Sequence, residues 1–201
     1  MKPGPKKGTR PKGLGKGPDY ERTICKRLSL WWTNGERDDV FWRTAGSGGW
    51  ASTRRKKGEQ TYGSYGDVAA LDPIGESLIK LVTIEIKRGH SPKPSKGPSD
   101  YLNVLDLLDY DFKTRKKPPL LIQWWEKLQK DCLSAGAKYP WLIFKRDRAK
   151  ACIVIDQVFM DDIPMAFEDL ICCFTPFGSL WITRLDHFLT RIKPKFFVDQ
   201  S

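Results

Sequence analysis

A chain of 201 residues, 40% hydrophobic and with eight tryptophans, is long enough to bury a core as one domain with appendages. Its formal net charge of +11 points to a polyanionic partner, and no apolar run approaches the length of a membrane span. Five cysteines (Cys25, Cys132, Cys152, Cys172, Cys173) without a C-x-x-C pair argue against a zinc site or disulfide framework, and predict reduced thiols in a cytoplasmic protein. With only His90 and His187 present, far apart in the chain, histidine-based metal or triad chemistry is disfavoured.

Residues 1–17 carry six Lys/Arg and no acid, and their Gly, Pro and Lys content predicts a disordered basic tail. Lys6, Lys7, Arg10 and Lys12 in it are candidate phosphate contacts, nonspecific and salt-dependent. The signal-peptide pattern is missing, because no apolar segment follows the basic start. From 18 to 201 the sequence reads as a single domain. Asp19 is the expected N-cap of a helix to about Thr33, with Ile24, Cys25, Leu28, Trp31 and Trp32 on one stripe. Glu21 falls in the middle of that stripe. A carboxylate there either needs a partner or metal, or simply favours the positive end of the helix dipole.

Val40–Ala45 reads as a strand, followed by Gly46-Ser47-Gly48-Gly49 and a basic excursion carrying Arg54, Arg55, Lys56 and Lys57. Two further apolar runs, Asp67–Leu71 and Leu81–Lys87, flank the turn-forming Asp72-Pro73-Ile74-Gly75, which predicts a hairpin about Gly75–Glu76. Alternation along a strand puts Glu85 and Lys87 on one face and Ile84 and Ile86 on the other. In the hairpin, Asp67 lies opposite or diagonal to Glu85. Two carboxylates and an ammonium on one patch suit divalent-metal phosphodiester hydrolysis, in which hard oxygen ligands hold Mg²⁺ and a cation steadies the developing charge. A Glu-x-Lys triplet alone is common; its context gives it weight.

A Pro/Gly/Ser/Lys loop follows Lys87, then a short helix expected to place Tyr101, Leu105, Leu108 and Phe112 on one face. Pro118-Pro119 opens a stronger helix through Ala135, with Leu121, Trp124, Trp125, Leu128 and Cys132 inward and Gly136 as its stop. Trp124 and Trp125 could stack bases, but their helical spacing favours core. Trp141–Lys145 and Ala151–Ile155 are expected strands, as is Gly178–Leu185 before a short helix to Arg191. Residues 89–118 read as an insertion and those from about 150 as a C-terminal extension, which completes the sheet or forms a dimer contact.

The order helix with Glu21, strand, strand with Asp67, strand with Glu85-Ile86-Lys87, helix, strand resembles the PD-(D/E)xK nuclease superfamily over about residues 19–146. Arg43-Thr-Ala-Gly-Ser-Gly48 is similar to the Arg-x-Ala-Gly-Ser-Gly segment of archaeal-type Holliday junction resolvases within it, and the block Trp31–Gly49 looks like uncharacterised phage-type members. The resemblance implies an α/β, restriction-endonuclease-like core, a central mixed β-sheet flanked by helices in the order αβββαβ. It implies a Mg²⁺-dependent DNA endonuclease, with Mn²⁺ as an alternative metal, acting on branched DNA as a homodimer in a phage-infected or prokaryotic cytoplasm. On this pattern Asp67, Glu85 and the Ile86 carbonyl ligate the metal, and Lys87 orients the attacking water. Glu21 completes the acidic site and Ser47 lies beside the scissile phosphate. Arg43, Gly46, Ser47, Gly48, the Arg54–Lys57 cluster and Arg88 would contact nucleic acid. Gln123 matches the polar residue some members bring from the next helix, with Gln129 as its competitor. Two departures stand out. Gly66 replaces the proline that often precedes the aspartate, and the segment after Lys87 is longer than a minimal resolvase needs. Competing functions are a restriction-like or repair nuclease on linear duplex and a non-catalytic DNA-binding protein.

Overall fold

The computed structural model describes residues 16–44, 65–91, 96–97, 100–107, 110–111, 113, 117–163, 167, 169–175 and 178–200. The first helix, α1 (Lys16–Trp32), precedes two short strands, β1 (Phe41–Arg43) and β2 (Val68–Ala70). They form an antiparallel pair with Phe41 opposite Ala70 and Arg43 opposite Val68. A 3₁₀ turn (Pro73–Gly75) and α2 (Glu76–Leu81) lead into β3 (Val82–Arg88). Next come α3 (Leu120–Ala135), β4 (Tyr139–Lys145), β5 (Cys152–Asp156) and α4 (Gln157–Asp162). The chain ends with β6 (Ile171–Thr175), β7 (Gly178–Arg184), α5 (Leu185–Arg191) and α6 (Lys195–Val198).

Five strands form one mixed sheet in the order β3-β4-β5-β7-β6. β3 and β4 run parallel, with Glu85 opposite Leu142, and the remaining pairs are antiparallel. Parallel neighbours need a long crossover, which α3 supplies. The protein is therefore α/β, a mixed sheet flanked by helices.

The interior strand β4 is apolar at every position from Trp141 to Phe144 because both its faces are covered. Trp141 and Ile143 join the cluster of Ile24, Leu28, Phe159, Phe188 and Phe197, while Leu142 and Phe144 face Leu121, Trp125 and Leu128 of α3. The alternation on β3 is the expected one: Ile84 and Ile86 belong to the α1 side. Trp125 is core, and Trp124 is half-buried with its ring edge-on to His90. All five cysteines are free thiols.

Several expectations need correction. The Asp67 and Glu85 runs do not form a hairpin: Asp72 accepts from the Ile74 N–H (3.0 Å) and starts the 3₁₀ turn, and helix α2 fills the connection. Asp–Pro turn chemistry begins a helical turn as readily as a hairpin. α1 starts at Lys16, so Asp19 lies in its first turn rather than at its cap. Between 101 and 107 there is only a 3₁₀ turn, Val104–Leu107; Leu102 and Leu107 are buried, while Leu105 is 64% exposed. Leu108 and Phe112 lie outside the described residues. The stretch after 150 supplies three of the five strands, of which β6 went unread, as did α4. No helix among the described residues is long and apolar enough to cross a membrane.

Trp141 is fully buried, with Phe159, Phe188 and Phe197 edge-on to its ring. Trp141→Ala should cost about 3–5 kcal/mol in chemical denaturation. By contrast, Leu133→Ala on α3, at a side chain 83% exposed, should change stability by no more than about 0.5 kcal/mol.

Candidate active site

β3 is an edge strand of the five-stranded sheet, and its free edge is met by Asp67. The Asp67 N–H donates to the Ile84 carbonyl (2.7 Å), and the Asp67 carboxylate accepts from the Ile86 N–H through Oδ2 (2.7 Å). These two bonds bracket Glu85. Asp67 is thereby anchored beside Glu85 without a hairpin, and both are nearly buried, at 4% and 5% exposure.

Gly66 makes this approach sterically feasible. Its φ is +80°, and an added Cβ would lie 2.5 Å from the Ile84 carbonyl oxygen. Proline, locked near φ −65°, cannot occupy such a position. Thr44 secures the other side, its N–H donating to the Asp67 carbonyl (3.1 Å) and its hydroxyl to the Gly66 carbonyl (2.8 Å).

The electrostatics are those of crowded acids. Burial is the largest cause that pushes the Asp67 carboxyl up, to about 6, and the neighbouring Glu85 charge adds to it; Glu21 contributes less. Lys87 and the Ile86 N–H pull in the opposite direction. Lys87 pairs with Glu85 from two residues along the same face. A second ammonium, Lys127 of α3, lies 3.4 Å from Glu85 Oε1 and 3.2 Å from Asp131 Oδ2. Sequence reasoning missed Lys127. Gln123, the expected helix residue, donates its amide to the Pro118 carbonyl (2.8 Å), and Lys127 one turn later reaches the carboxylate. The signal that could have found it is spacing: positions 123, 127 and 131 share one helix face.

Glu21 finds its partner in Arg43, whose Nε donates to Glu21 Oε2 (2.9 Å). The pair joins α1 to β1 beside Asp67, so the carboxylate on the apolar stripe is neither buried alone nor merely a helix-end charge. Beneath them the Cys25 thiol is pushed up to about 12, by burial first and then by Glu21 and Asp67. Arg88 closes β3 with its guanidinium 5.7 Å from the Tyr20 ring centroid. Ser47, Gly46, Gly48, Arg54, Arg55, Lys56, Lys57, Lys6, Lys7, Arg10 and Lys12 lie outside the described residues.

Asp67, Glu85 and the Ile86 carbonyl make an all-oxygen donor set, and a cation beside them would offset the burial and the Glu85 charge that raise the Asp67 carboxyl. No group of three or more His, Cys, Asp or Glu gathers into a metal site among the described residues. Two carboxylates suit Mg²⁺, which keeps most of its waters, better than a metal that needs a protein cage. No family model, curated protein or solved structure matches the chain.

Two measurements check this geometry. Gly66→Ala should destabilise the fold by about 2 kcal/mol or more, through left-handed strain plus the clash with Ile84. Gly136→Ala, at φ +68° with nothing within 4 Å, should cost only about 1–2 kcal/mol. Because Asp67 is raised in the folded state, its ionisation destabilises the fold. That cost is absent below the ordinary carboxyl range near pH 4, grows as pH rises, and is complete above about pH 6. Asp67→Asn should therefore stabilise the metal-free protein at pH 8, by at most about 3 kcal/mol, with the gain fading towards pH 4. An equal loss of stability at both pH values would contradict the assignment.

Proposed function

We propose that the chain is a Mg²⁺-dependent DNA endonuclease with a restriction-endonuclease-like core, cutting branched, Holliday-junction-like DNA as a homodimer. The observation that carries the reading is the bracketing of Glu85 by the two Asp67 bonds, with Lys87 on the Glu85 face. Further support comes from the element order α1-β1-β2-β3-α3-β4, with α2 and two 3₁₀ turns between these elements among the described residues, and from the net charge of +11. In this reading Asp67, Glu85 and the Ile86 carbonyl hold Mg²⁺, or Mn²⁺ in its place. The bound ion would supply Lewis acidity towards the scissile phosphate and a water more easily deprotonated than bulk water.

The chain's own residues do the rest. The Ile86 N–H fixes the Asp67 carboxylate, and the clamp of Thr44 and Gly66 keeps it on the strand edge. Lys87, on the Glu85 face of β3, would hydrogen-bond the attacking water. It then stabilises charge as the water oxygen bonds to phosphorus and the leaving oxygen departs. Lys127 holds Glu85 from the opposite element and limits its rotamers. Glu21, tied to Arg43, adds a smaller negative contribution at Asp67 than Glu85 does. Junction resolution needs two symmetric cuts, which is why the reading includes two active sites in a dimer.

The test is cleavage of a labelled four-way junction and a matched linear duplex with Mg²⁺. Paired, junction-selective nicks are expected, lost in Glu85→Ala. Equal cutting of both substrates would replace the resolvase with a restriction-like or repair nuclease. Tight binding without any cutting would favour a non-catalytic DNA-binding protein. Lys87→Ala should lower turnover about 100-fold or more while leaving DNA affinity nearly unchanged; full activity would remove Lys87 from the mechanism.

A further inference from the structure

The two ends of the five-stranded sheet differ in charge. At the end where β3 and β4 finish, Arg88 is in register with Lys145. Phe144, next to Lys145, is opposite Cys152, and Cys152 is opposite Arg184 of β7. The row Arg88–Lys145–Cys152–Arg184 thus runs along the ends of four adjacent strands, β3-β4-β5-β7, with Arg88 and Lys145 on the α1 face and Cys152 and Arg184 on the α3 face. The turn from β4 to β5 adds Arg146, Arg148 and Lys150 to the same end, closed by the Ala149 N–H donating to the Arg146 carbonyl (3.3 Å). Arg148 sits at φ +61° in this turn and is exposed, as is Lys150. The opposite end, where β4 begins and β5 finishes, carries Asp156, Asp161 and Asp162.

The basic end has acids of its own, Asp147 and Asp169, but they leave the row positive. Asp169 accepts from Arg184 Nε (3.0 Å) and from His187 Nδ1 (2.7 Å), so it orients the arginine as well as neutralising part of its charge. The Cys152 thiol is pushed up by burial and by Asp169, while the charges of Arg146 and Arg184 oppose that shift. No acid pairs with Lys145, Arg146, Arg148 or Lys150 among the described residues at salt-bridge distance.

We propose that this end of the sheet is a phosphate track, on which Arg88, Lys145, Arg146, Arg148, Lys150 and Arg184 hold the backbone of the DNA whose scissile phosphate lies at Asp67 and Glu85. The track deepens the endonuclease reading and rests on it for the identity of the substrate. Its length fits. Three strand spacings span about 14 Å, over which one strand of duplex presents about four phosphates along its axis. Its position fits as well, because the carboxylates and the basic row lie at the same end of the sheet, where β3 and β4 finish, although Arg88 itself is on the opposite face of β3 from Lys87. Such contacts position a backbone without reading bases, which suits an enzyme that selects DNA shape.

The experiment is anisotropy of fluorescent junction and duplex DNA titrated with the full chain in EDTA, across a salt series, so that binding is read without turnover. The variant is Arg146→Gln/Arg148→Asn/Lys150→Gln, with asparagine chosen because it tolerates the left-handed turn position. The control is Lys193→Gln/Lys195→Gln, an exposed pair beside α6, whose Phe196 packs on Tyr139 at the opposite end of the sheet. A second variant, Arg146→Lys/Arg148→Lys, keeps the charge and should bind as the wild type does. The triple variant should bind tenfold or more weakly, with the slope of log affinity against log salt reduced by about two to three. The control should change neither. An unchanged slope in the triple variant, or an equal loss in the control, overturns the track even if the wild type cleaves DNA. Loss of binding confined to the triple variant upholds the track even if cleavage is never seen, and in that case the endonuclease reading alone fails.

Discussion

The site depends on one constraint, the meeting of Asp67 with the free edge of β3. Its N–H takes the Ile84 carbonyl and its carboxylate takes the Ile86 N–H, so a side chain stands in for the next strand of the sheet. An unpaired edge exposes donors and acceptors that need partners. Here they are satisfied by a residue whose own carboxyl feels the Glu85 charge. The same two bonds that stabilise the edge hold a second carboxylate beside the first in a buried place, and burial first, then the Glu85 charge, push Asp67 up to about 6. Gly66 is the permissive element, since any Cβ at that point would collide with Ile84.

Around this contact the charges are arranged in layers. Lys87 and Lys127 surround Glu85 from β3 and α3, and Arg43 takes Glu21. Beyond them the same end of the sheet is basic, and the far end carries the acidic turn of α4. A molecule with net charge +11 thus concentrates part of that charge next to its carboxylates. That arrangement suits a polyanion approaching a cation-dependent site.

How much of this was legible in the sequence follows from the range of each interaction. Local signals were read well: the stripe of Ile24, Cys25 and Leu28, the alternation of Ile84 and Ile86 against Glu85, and the left-handed stop at Gly136 are set within a few residues. The neighbourhood of Asp67 and Glu85 was anticipated for the wrong reason, a hairpin where the chain makes a 3₁₀ turn and α2. Long-range partners were harder. Arg43 answers Glu21 across 22 residues and Lys127 answers Glu85 across 42; the helix face of 123, 127 and 131 marks Lys127 as a candidate, but no local pattern names its partner. β6 escaped because its alternation is weak: Ile171 and Phe174 are exposed and Cys173 is its buried member.

The most direct measurement is an NMR titration of the Asp67 carboxyl in the metal-free protein, repeated with saturating Mg²⁺ and in Glu85→Gln. The account predicts a midpoint near pH 6 without metal, moved down by Mg²⁺ and moved down by removal of the Glu85 charge. A midpoint in the ordinary aspartate range in all three samples would contradict it, because Asp67 would then be an edge-capping residue with no coupled acid beside it.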